Sequence, residues 1–345
     1  MSKIFKWGII GLGKIAHKFA QDLQSIPNAT LHAVASRTEE KAKTFAMQYN
    51  VPNFFGGYEH LFKCQDLDVI YIATPHSLHC DNVLMCLEHQ IPVLCEKPMA
   101  LNASEVKKMV TLAKFQKTFL MEALWTRFLP TSTKVLELIS KGKIGEINSI
   151  RADFGFKAPM DPRSRLFNQN LGGGSLMDVG IYPVFLSLLL LGKPTSVKAS
   201  AAIGRTNVDE SCGILLKYDN NRMAMLHSSI VVNTGTEAHI YGEKGTIRIN
   251  SRWHEPTSIT LLPHGDEPKD YFFDFDSHGY RYEAEEVMRC LRNNQLESEW
   301  MSLDFSLDLI ELLDTIRMKA GIYYPKIDNF TEAISAAESI NFSMN

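Results

Sequence analysis

The chain has 345 residues, 45% hydrophobic and 22% charged, and its 36 basic against 39 acidic residues leave a net charge of −3. That length exceeds one ordinary core and implies about two domains. The balanced charge supplies no electrostatic footprint for nucleic acid, and the longest strongly apolar stretch, Val184–Leu191 with Ser187 inside it, falls short of the roughly 20 residues of a membrane span.

A small-molecule partner is therefore expected, with no nucleic acid and no membrane. Met1-Ser2-Lys3-Ile4-Phe5 runs straight towards a glycine loop without a small-residue cleavage site, so it reads as structure and not as a signal peptide. The six cysteines show no C-x-x-C pair and no histidine at ligand spacing, as expected of reduced thiols in a cytoplasmic protein without a bound metal.

Taken in chain order, Phe5–Ile10 reads as a buried strand, and Ile15, Phe19, Leu23 and Ile26 recur at helical spacing over Lys14–Ile26. Leu31–Ser36 is a second strand and Glu39–Tyr49 a second helix, a βαβ unit of dinucleotide-binding length. Val69–Ala73, a helix over Cys80–His89, Pro92–Cys95, a helix over Ala103–Phe115 and Phe119–Met121 continue the alternation. This predicts an α/β Rossmann domain with a doubly wound parallel sheet over residues 1–122.

After a helix over Thr131–Ser140 the pattern changes to longer strands at Ile147–Phe156, Val197–Gly204, Gly213–Tyr218, Met223–Val232, Ala238–Tyr241 and Thr246–Ile249. Asp219–Arg222 and Gly242–Gly245 supply turn chemistry between them. The expectation is an α+β domain over 123–325 with an open, mainly antiparallel sheet and helices at Tyr282–Asn293 and Leu303–Ala320. Residues 326–345 read as an extension with one short helix.

The chemistry gathers at strand ends. Gly11-Leu12-Gly13-Lys14-Ile15-Ala16 opens a helix directly after a strand, where glycines permit a tight turn and backbone amides can approach a pyrophosphate. At the end of the second strand an NAD site usually carries an acid for the ribose 2′-hydroxyl, but this chain has Ser36, Arg37 and, one turn on, Lys41. A hydroxyl and a forked cation suit a 2′-phosphate, so NADP(H) is the preferred cofactor, with NAD(H) possible and Arg37 stacked on adenine as the alternative.

Thr74, Pro75, His76 and His79 follow the next strand and would border the nicotinamide ribose; the alternative leaves the histidines as helix-start or surface residues. Glu96-Lys97-Pro98 closes the strand after that. Residues just beyond the strands of an open parallel sheet can reach bound ligand, which makes Lys97 a candidate catalyst rather than a solvated lysine. Far along the chain, Asp178 and Tyr182 stand four residues apart in an apolar stretch preceded by glycines, so a helix there would place both on one face.

Together Gly11-Leu12-Gly13, Ala73-Thr74-Pro75-His76, Glu96-Lys97-Pro98, Glu122-Ala123-Leu124-Trp125-Thr126-Arg127-Phe128 and Asp178-Val179-Gly180-Ile181-Tyr182 resemble the Gfo/Idh/MocA oxidoreductases, most closely the dimeric dihydrodiol dehydrogenase branch. The resemblance spans about Lys6 to Tyr324. It implies hydride transfer between nicotinamide and a secondary alcohol or carbonyl of a sugar, polyol or cyclic diol. It also implies a Lys97-Pro98 peptide that is often cis, and a homodimer or higher oligomer formed through the second sheet.

Many sugar dehydrogenases of the family carry histidine where this chain has Tyr182; the dihydrodiol branch has tyrosine. The resemblance makes Tyr182 the proton donor or acceptor and Lys97 its electrostatic partner, with proton donation by Lys97 itself left open. A phenol with a reference pKa of about 10 needs about 4 kcal/mol to drop by about 3 units, part of which an ammonium can supply. Asp178 would bind substrate hydroxyls or orient Lys97, while Trp125, Arg127, Phe128 and Phe154 would line the substrate pocket, with Trp253 as a further candidate. A non-catalytic dinucleotide-sensing regulator on the same fold is the rival; its mark would be loss of the lysine or tyrosine, and both are present.

Overall fold

The structure, a computed structural model, describes residues 3–328. The expected short helix of the 326–345 extension falls almost wholly outside those residues.

The first sheet is built from β1 (Phe5–Ile10), β2 (Ala29–Ser36), β3 (Asn53–Gly56), β4 (Val69–Ile72), β5 (Val93–Glu96) and β6 (Leu120–Ala123). All neighbours are parallel, in the order β3-β2-β1-β4-β5-β6. Helices α1 (Lys14–Gln24), α2 (Glu39–Tyr49), α3 (His79–Glu88) and α4 (Ala103–Gln116) connect the strands. The central strands β1, β4 and β5 are apolar runs buried almost throughout, as a sheet covered on both faces requires. Local chemistry sets the ends of α4: the Asn102 side chain accepts from the Glu105 N–H (2.8 Å), the Glu105 carboxylate accepts from the Leu101 N–H (3.0 Å), and Lys117 turns left-handed at φ 52°.

This order reverses direction between β1 and β4, which is where such sheets open a crevice beyond the strand ends. Ile10 pairs with Ile72 and Ile72 with Cys95, so the loops beginning at Gly11, Ala73 and Lys97 leave adjacent strands at the same edge.

Helix α5 (Pro130–Ser140) precedes the second sheet, and α6 (Ile181–Leu191) lies within the same compact unit. That sheet contains β7 (Ile147–Gly155), β8 (Ser196–Ile203), β9 (Asp209–Lys217), β10 (Met223–Ser229), β11 (Ala238–Gly242), β12 (Gly245–Ile249), β13 (Ile259–Pro263) and β14 (Lys269–Tyr271). The order is β14-β13-β12-β11-β7-β10-β9-β8, antiparallel except for the parallel pair β7 and β10. Alternation along β7 and β10 buries Ile150, Ala152, Ala224 and Leu226 on the face that α6 contacts, while Arg151, Met223 and Met225 are exposed.

The compact units do not follow a single boundary near residue 122: residues 274–307 group with 1–129, and 130–273 group with the residues from 308. Helix α7 (Arg281–Arg292), expected in the second unit, thus belongs to the first, and α8 (Leu303–Lys319) begins in one unit and ends in the other. Asp22 of α1 explains the return of α7, because its carboxylate accepts from the N–H groups of His278 (2.9 Å), Tyr280 (2.7 Å) and Arg281 (3.2 Å) where α7 starts. Residues 169–191 together are long and apolar enough to cross a membrane, contrary to the expectation from Val184–Leu191 alone, yet the stretch is broken at Gly172 and Gly174 and 89% of its most apolar window is buried inside the protein. It belongs to the core.

Candidate active site

The dinucleotide loop has the backbone its chemistry needs. Gly11 sits at φ +89°, and a Cβ there would meet the backbone of Ala73 and Thr74 at 2.8 Å, so only glycine lets the first and fourth strands' loops approach. Gly13, by contrast, has no heavy atom within 4 Å of a built Cβ, and α1 begins at Gly13 without a side-chain cap. That leaves the first N–H groups of α1 accessible to an anion. Ser36 is buried at the end of β2, whereas Arg37 and Lys41 are exposed, and a cavity of about 320 Å³ is lined by Leu12, His17, Thr38, Lys41, Thr44 and Phe45 among others. A nicotinamide dinucleotide fits this set: an open glycine loop for the diphosphate and two cations where the adenosine ribose would lie.

The loop after β4 is more structural than the sequence suggested. His79 is 0% exposed, and its ring nitrogens face the carbonyl oxygens of Pro98 (2.8 Å) and Thr74 (2.9 Å). Expected as a cofactor contact, it instead ties the loop after β4 to the loop after β5. His76 is also buried, its ring edge-on to His79 at 5.7 Å. The Thr74 hydroxyl accepts from the Asn82 side chain (3.0 Å), which fixes its orientation.

Lys97 is half-buried and follows β5 directly, and its peptide bond to Pro98 is cis. Both flanks are held. The Glu96 carboxylate accepts from the Lys97 N–H (3.2 Å) and from the Tyr71 hydroxyl. The Met99 N–H donates to Glu122 Oε1 (2.8 Å). Burial pushes the Glu122 carboxyl up to about 7, opposed by its hydrogen bonds and by the charge of Lys97 nearby. Close to Glu96 lies Glu283 of α7, 0% exposed, whose carboxyl burial pushes well above the ordinary range, reinforced by the charges of Glu96 and Asp22.

Three expected pocket residues have partners within the same unit. Trp125 stacks on Tyr280 with ring centroids 4.4 Å apart and planes 11° apart. Arg127 donates from Nε to the Trp300 carbonyl (2.9 Å) with its guanidinium 5.4 Å from that indole, and Phe128 packs against the same ring at 6.3 Å. Burial holds the Arg127 guanidinium below its usual value, with Glu286 opposing. Arg127 and Phe128, expected at the substrate pocket, thus both pack around Trp300.

In the second unit, Asp178 lies in a π-helical turn, Leu176–Gly180, that runs directly into α6. Such turns are often found at functional sites because they displace a side chain from the regular helical row. Asp178 accepts from Arg165 at 2.6 Å. Tyr182, 4% exposed in the first turn of α6, packs its ring against Phe154 (5.6 Å) and His254 (5.4 Å). Trp253 does not join this wall: it is 1% exposed, and its indole N–H donates to the Asp153 carbonyl (2.9 Å) from the core.

The turn is anchored from behind by residues that sequence reasoning missed. Asp209 of β9 accepts from the Leu176 N–H (2.6 Å) and the Ser175 hydroxyl (2.8 Å), capping the turn. Burial pushes its carboxyl up to about 6 against those hydrogen bonds. Gly174, at φ +118°, has no room for a side chain, since a Cβ would lie 2.0 Å from Asp209 Oδ1. The Tyr324 hydroxyl donates to the Gly173 carbonyl (2.9 Å). None of Asp209, Tyr324 or Arg165 stands near the Asp178–Tyr182 motif at helical spacing, so no local signal marks them.

Residues 5–124 match the model of an oxidoreductase family with an NAD-binding Rossmann fold, and residues 132–248 match the C-terminal domain model of the same Gfo/Idh/MocA family. A trans-1,2-dihydrobenzene-1,2-diol dehydrogenase from Xenopus tropicalis is 39% identical over 332 residues, covering 93% of this chain and 99% of that protein. Among solved structures, a 3-ketoreductase from Actinomadura kijaniata in complex with NADP and TDP-benzene superposes with a TM-score of 0.84 at 23% identity, covering 92% of this chain and 98% of that one. Levoglucosan dehydrogenase in complex with NADH and levoglucosan gives 0.83 at 19% identity, covering 92% and 97%. The two structures share the fold; the domain models and the near-full-length identity go further, and on them the chain belongs to the Gfo/Idh/MocA family of oxidoreductases.

Proposed function

We propose that this oxidoreductase acts on the CH–OH carbon of a cyclic vicinal diol, or of a related sugar or polyol, and on the matching carbonyl in reverse, with Tyr182 and Lys97 handling the substrate proton. The observation that carries the reading is the 39% identity over 93% of the chain to a dehydrogenase named for a cyclic 1,2-diol, in a chain that holds Lys97, Asp178 and Tyr182 together with the dinucleotide loop. When bound, nicotinamide supplies the hydride chemistry. The chain's own residues orient the substrate oxygen and take or return its proton. In this reading Tyr182 hydrogen-bonds the reacting oxygen, Lys97 stabilises the phenolate side of that transfer, and Asp178, paired with Arg165, holds the first turn of α6 in place. The test is change in NADPH absorbance with cyclic diols, aldoses, ketoses and dicarbonyls, run in both directions; silence across that panel despite cofactor binding would favour a dinucleotide sensor.

NADP(H) is the proposed cofactor over NAD(H), because Arg37 and Lys41 are exposed after β2, Lys41 on the cavity wall beside Glu40, and Ser36 stands where an NAD site usually carries an acid. Arg37→Ala is expected to weaken NADPH about tenfold, one exposed charge-assisted contact, while leaving NADH affinity within about twofold. Titration of cofactor fluorescence reads this directly, and equal losses for both cofactors would count against a phosphate contact.

The protein is also proposed to form a homodimer through the open face of the second sheet. That face presents Arg151, Leu215, Met225 and Lys198 in adjacent register and lines a shallow recess of about 540 Å³, with Ile203, Met223 and Met225 exposed. Sedimentation equilibrium should give a dimer that Met225→Glu dissociates; a monomeric wild type at micromolar concentration would refute it.

A further inference from the structure

The turn that carries Asp178 and leads into Tyr182 is capped by a charge where a neutral group would serve. Asp209 opens β9 and is 0% exposed. Its Oδ2 accepts from the Leu176 N–H (2.6 Å) and from the Ser175 hydroxyl (2.8 Å), which lies 3.0 Å from the Ser228 hydroxyl. On the other side Gly174 packs so closely that a Cβ would lie 2.0 Å from Oδ1, which leaves the carboxyl no slack. An asparagine would offer both donors the same oxygen without burying a charge. The ionised form lowers stability: burial pushes the carboxyl up to about 6, above the ordinary 3.8, so folding stability falls as pH rises through that interval. What the charge adds is bond strength. Donors bind a carboxylate roughly twice as strongly as a neutral oxygen, and the 2.6 Å contact from Leu176 is as short as such bonds become.

Resting on the roles proposed above for Asp178 and Tyr182, we infer that Asp209, as a carboxylate, is a positioning residue of the reaction: it locks the π-helical turn so that both side chains keep their working geometry. The line of action is short. Leu176 stands two residues before Asp178, and Tyr182 lies in the first turn of α6, which continues the capped turn. Protonated, Asp209 keeps its contacts only as neutral hydrogen bonds, the turn loosens, and turnover falls. The titratable groups that sense its charge stay neutral over the same range: Cys212 of its own strand is pushed up to about 12 and the buried Tyr324 hydroxyl well above the usual phenol range. Asp178, which also acts on Tyr324, is paired with Arg165 (2.6 Å), and Arg317, over the Tyr324 ring, pairs with Asp328.

The experiment measures kcat for oxidation of trans-cyclohexane-1,2-diol by NADP+ from about pH 5 to about pH 8.5 in the wild type, Asp209→Asn and Ser175→Ala; a better substrate from the panel above takes the diol's place. Asp209→Asn should be about tenfold slower than wild type near pH 8 and equal to it near pH 5, since it carries the neutral cap at every pH. Taking the ratio of the two removes the titration of groups they share, Glu122 among them. NADPH affinity and the thermal midpoint near pH 8 should stay within about twofold and a few degrees of wild type. Ser175→Ala keeps the carboxylate with one donor fewer, which raises that carboxyl further, so its deficit should peak between about pH 6 and 7 and shrink on either side. It is the measured variant if Asp209→Asn unfolds. A loss that is the same at every pH is that of a merely structural cap, and it overturns the inference, as does full turnover near pH 8 in Asp209→Asn. A wild type that turns over no member of the panel strikes the parent reading and takes this inference with it; an active wild type whose ratio to the variants does not change with pH strikes this one alone.

Discussion

Tyr182→Phe is expected to lower turnover by about 10² or more while leaving NADPH affinity nearly intact, because it removes one oxygen and preserves the ring. The packing supports so clean a separation. Tyr182 is 4% exposed and its ring is fixed against Phe154 and His254, contacts that phenylalanine reproduces. The turn beneath it is held by Asp209 and Gly174, which the substitution does not touch. Stopped-flow and steady-state rates would read the loss in kcat, with KM and the thermal midpoint little changed. Turnover at wild-type level would remove Tyr182 from the chemistry and point to Lys97 as the sole proton carrier.

Lys97→Met should produce a loss of similar size, about 10² or more in kcat, by a different route. On the proposed mechanism, methionine retains the aliphatic stem but not the ammonium, so the phenol would lose the charge that favours its ionised form. The backbone around it should hold: Glu96 still accepts from the residue 97 N–H and from Tyr71, and Glu122 still accepts from Met99. Glu122 gives a second readout. Its carboxyl stands at about 7 with Lys97 among the charges lowering it, so removing the ammonium should move it further up. A carboxyl raised above its unfolded value of about 4.5 costs stability as pH rises through that interval, because the native state must give up a proton it holds more tightly than the unfolded chain does. On Glu122's account alone, Lys97→Met should therefore follow the wild-type curve up to about pH 7 and lose further stability above it, where the wild-type carboxyl has ionised and the variant's has not. Full activity in the methionine variant, with the same pH–stability curve, would show that neither role belongs to Lys97.

How much of this was legible beforehand differs by element. The parallel sheet was, since strands buried on both faces read as continuous apolar runs and their helices carry apolar residues at helical spacing. So was the glycine-only turn at Gly11, and Lys97 and Tyr182 could be proposed because each belongs to a motif whose parts are neighbours in sequence. Strand β3, Asn53-Phe54-Phe55-Gly56, escaped because it is four residues long and half-buried throughout. Strand β14 is the sheet edge and β13 lies beside it, and neither shows a regular alternation of buried and exposed residues.

The return of residues 274–307 to the first unit depends on Asp22, more than 250 positions away from the N–H groups it caps, and no local pattern encodes that contact. The same holds for the supports of the site. Asp209 and Tyr324 act on the glycines and the turn before Tyr182 through tertiary hydrogen bonds. Arg127 and Phe128 sit in a motif that resemblance reads as a pocket, and their contacts with Trp300, which comes from another part of the chain, are tertiary and carry no local signal.

The measurement closest to the central claim follows the hydride itself. NADPH deuterated at C4, prepared separately on each face, is supplied with a cyclic α-hydroxy ketone, and the product is examined by mass spectrometry. One deuterium on the new carbinol carbon, from one face only, with incorporation collapsing in Tyr182→Phe and Lys97→Met, is the predicted result. Cofactor binding with no labelled product from either face in the wild type, across diols, sugars and their ketones, would contradict it.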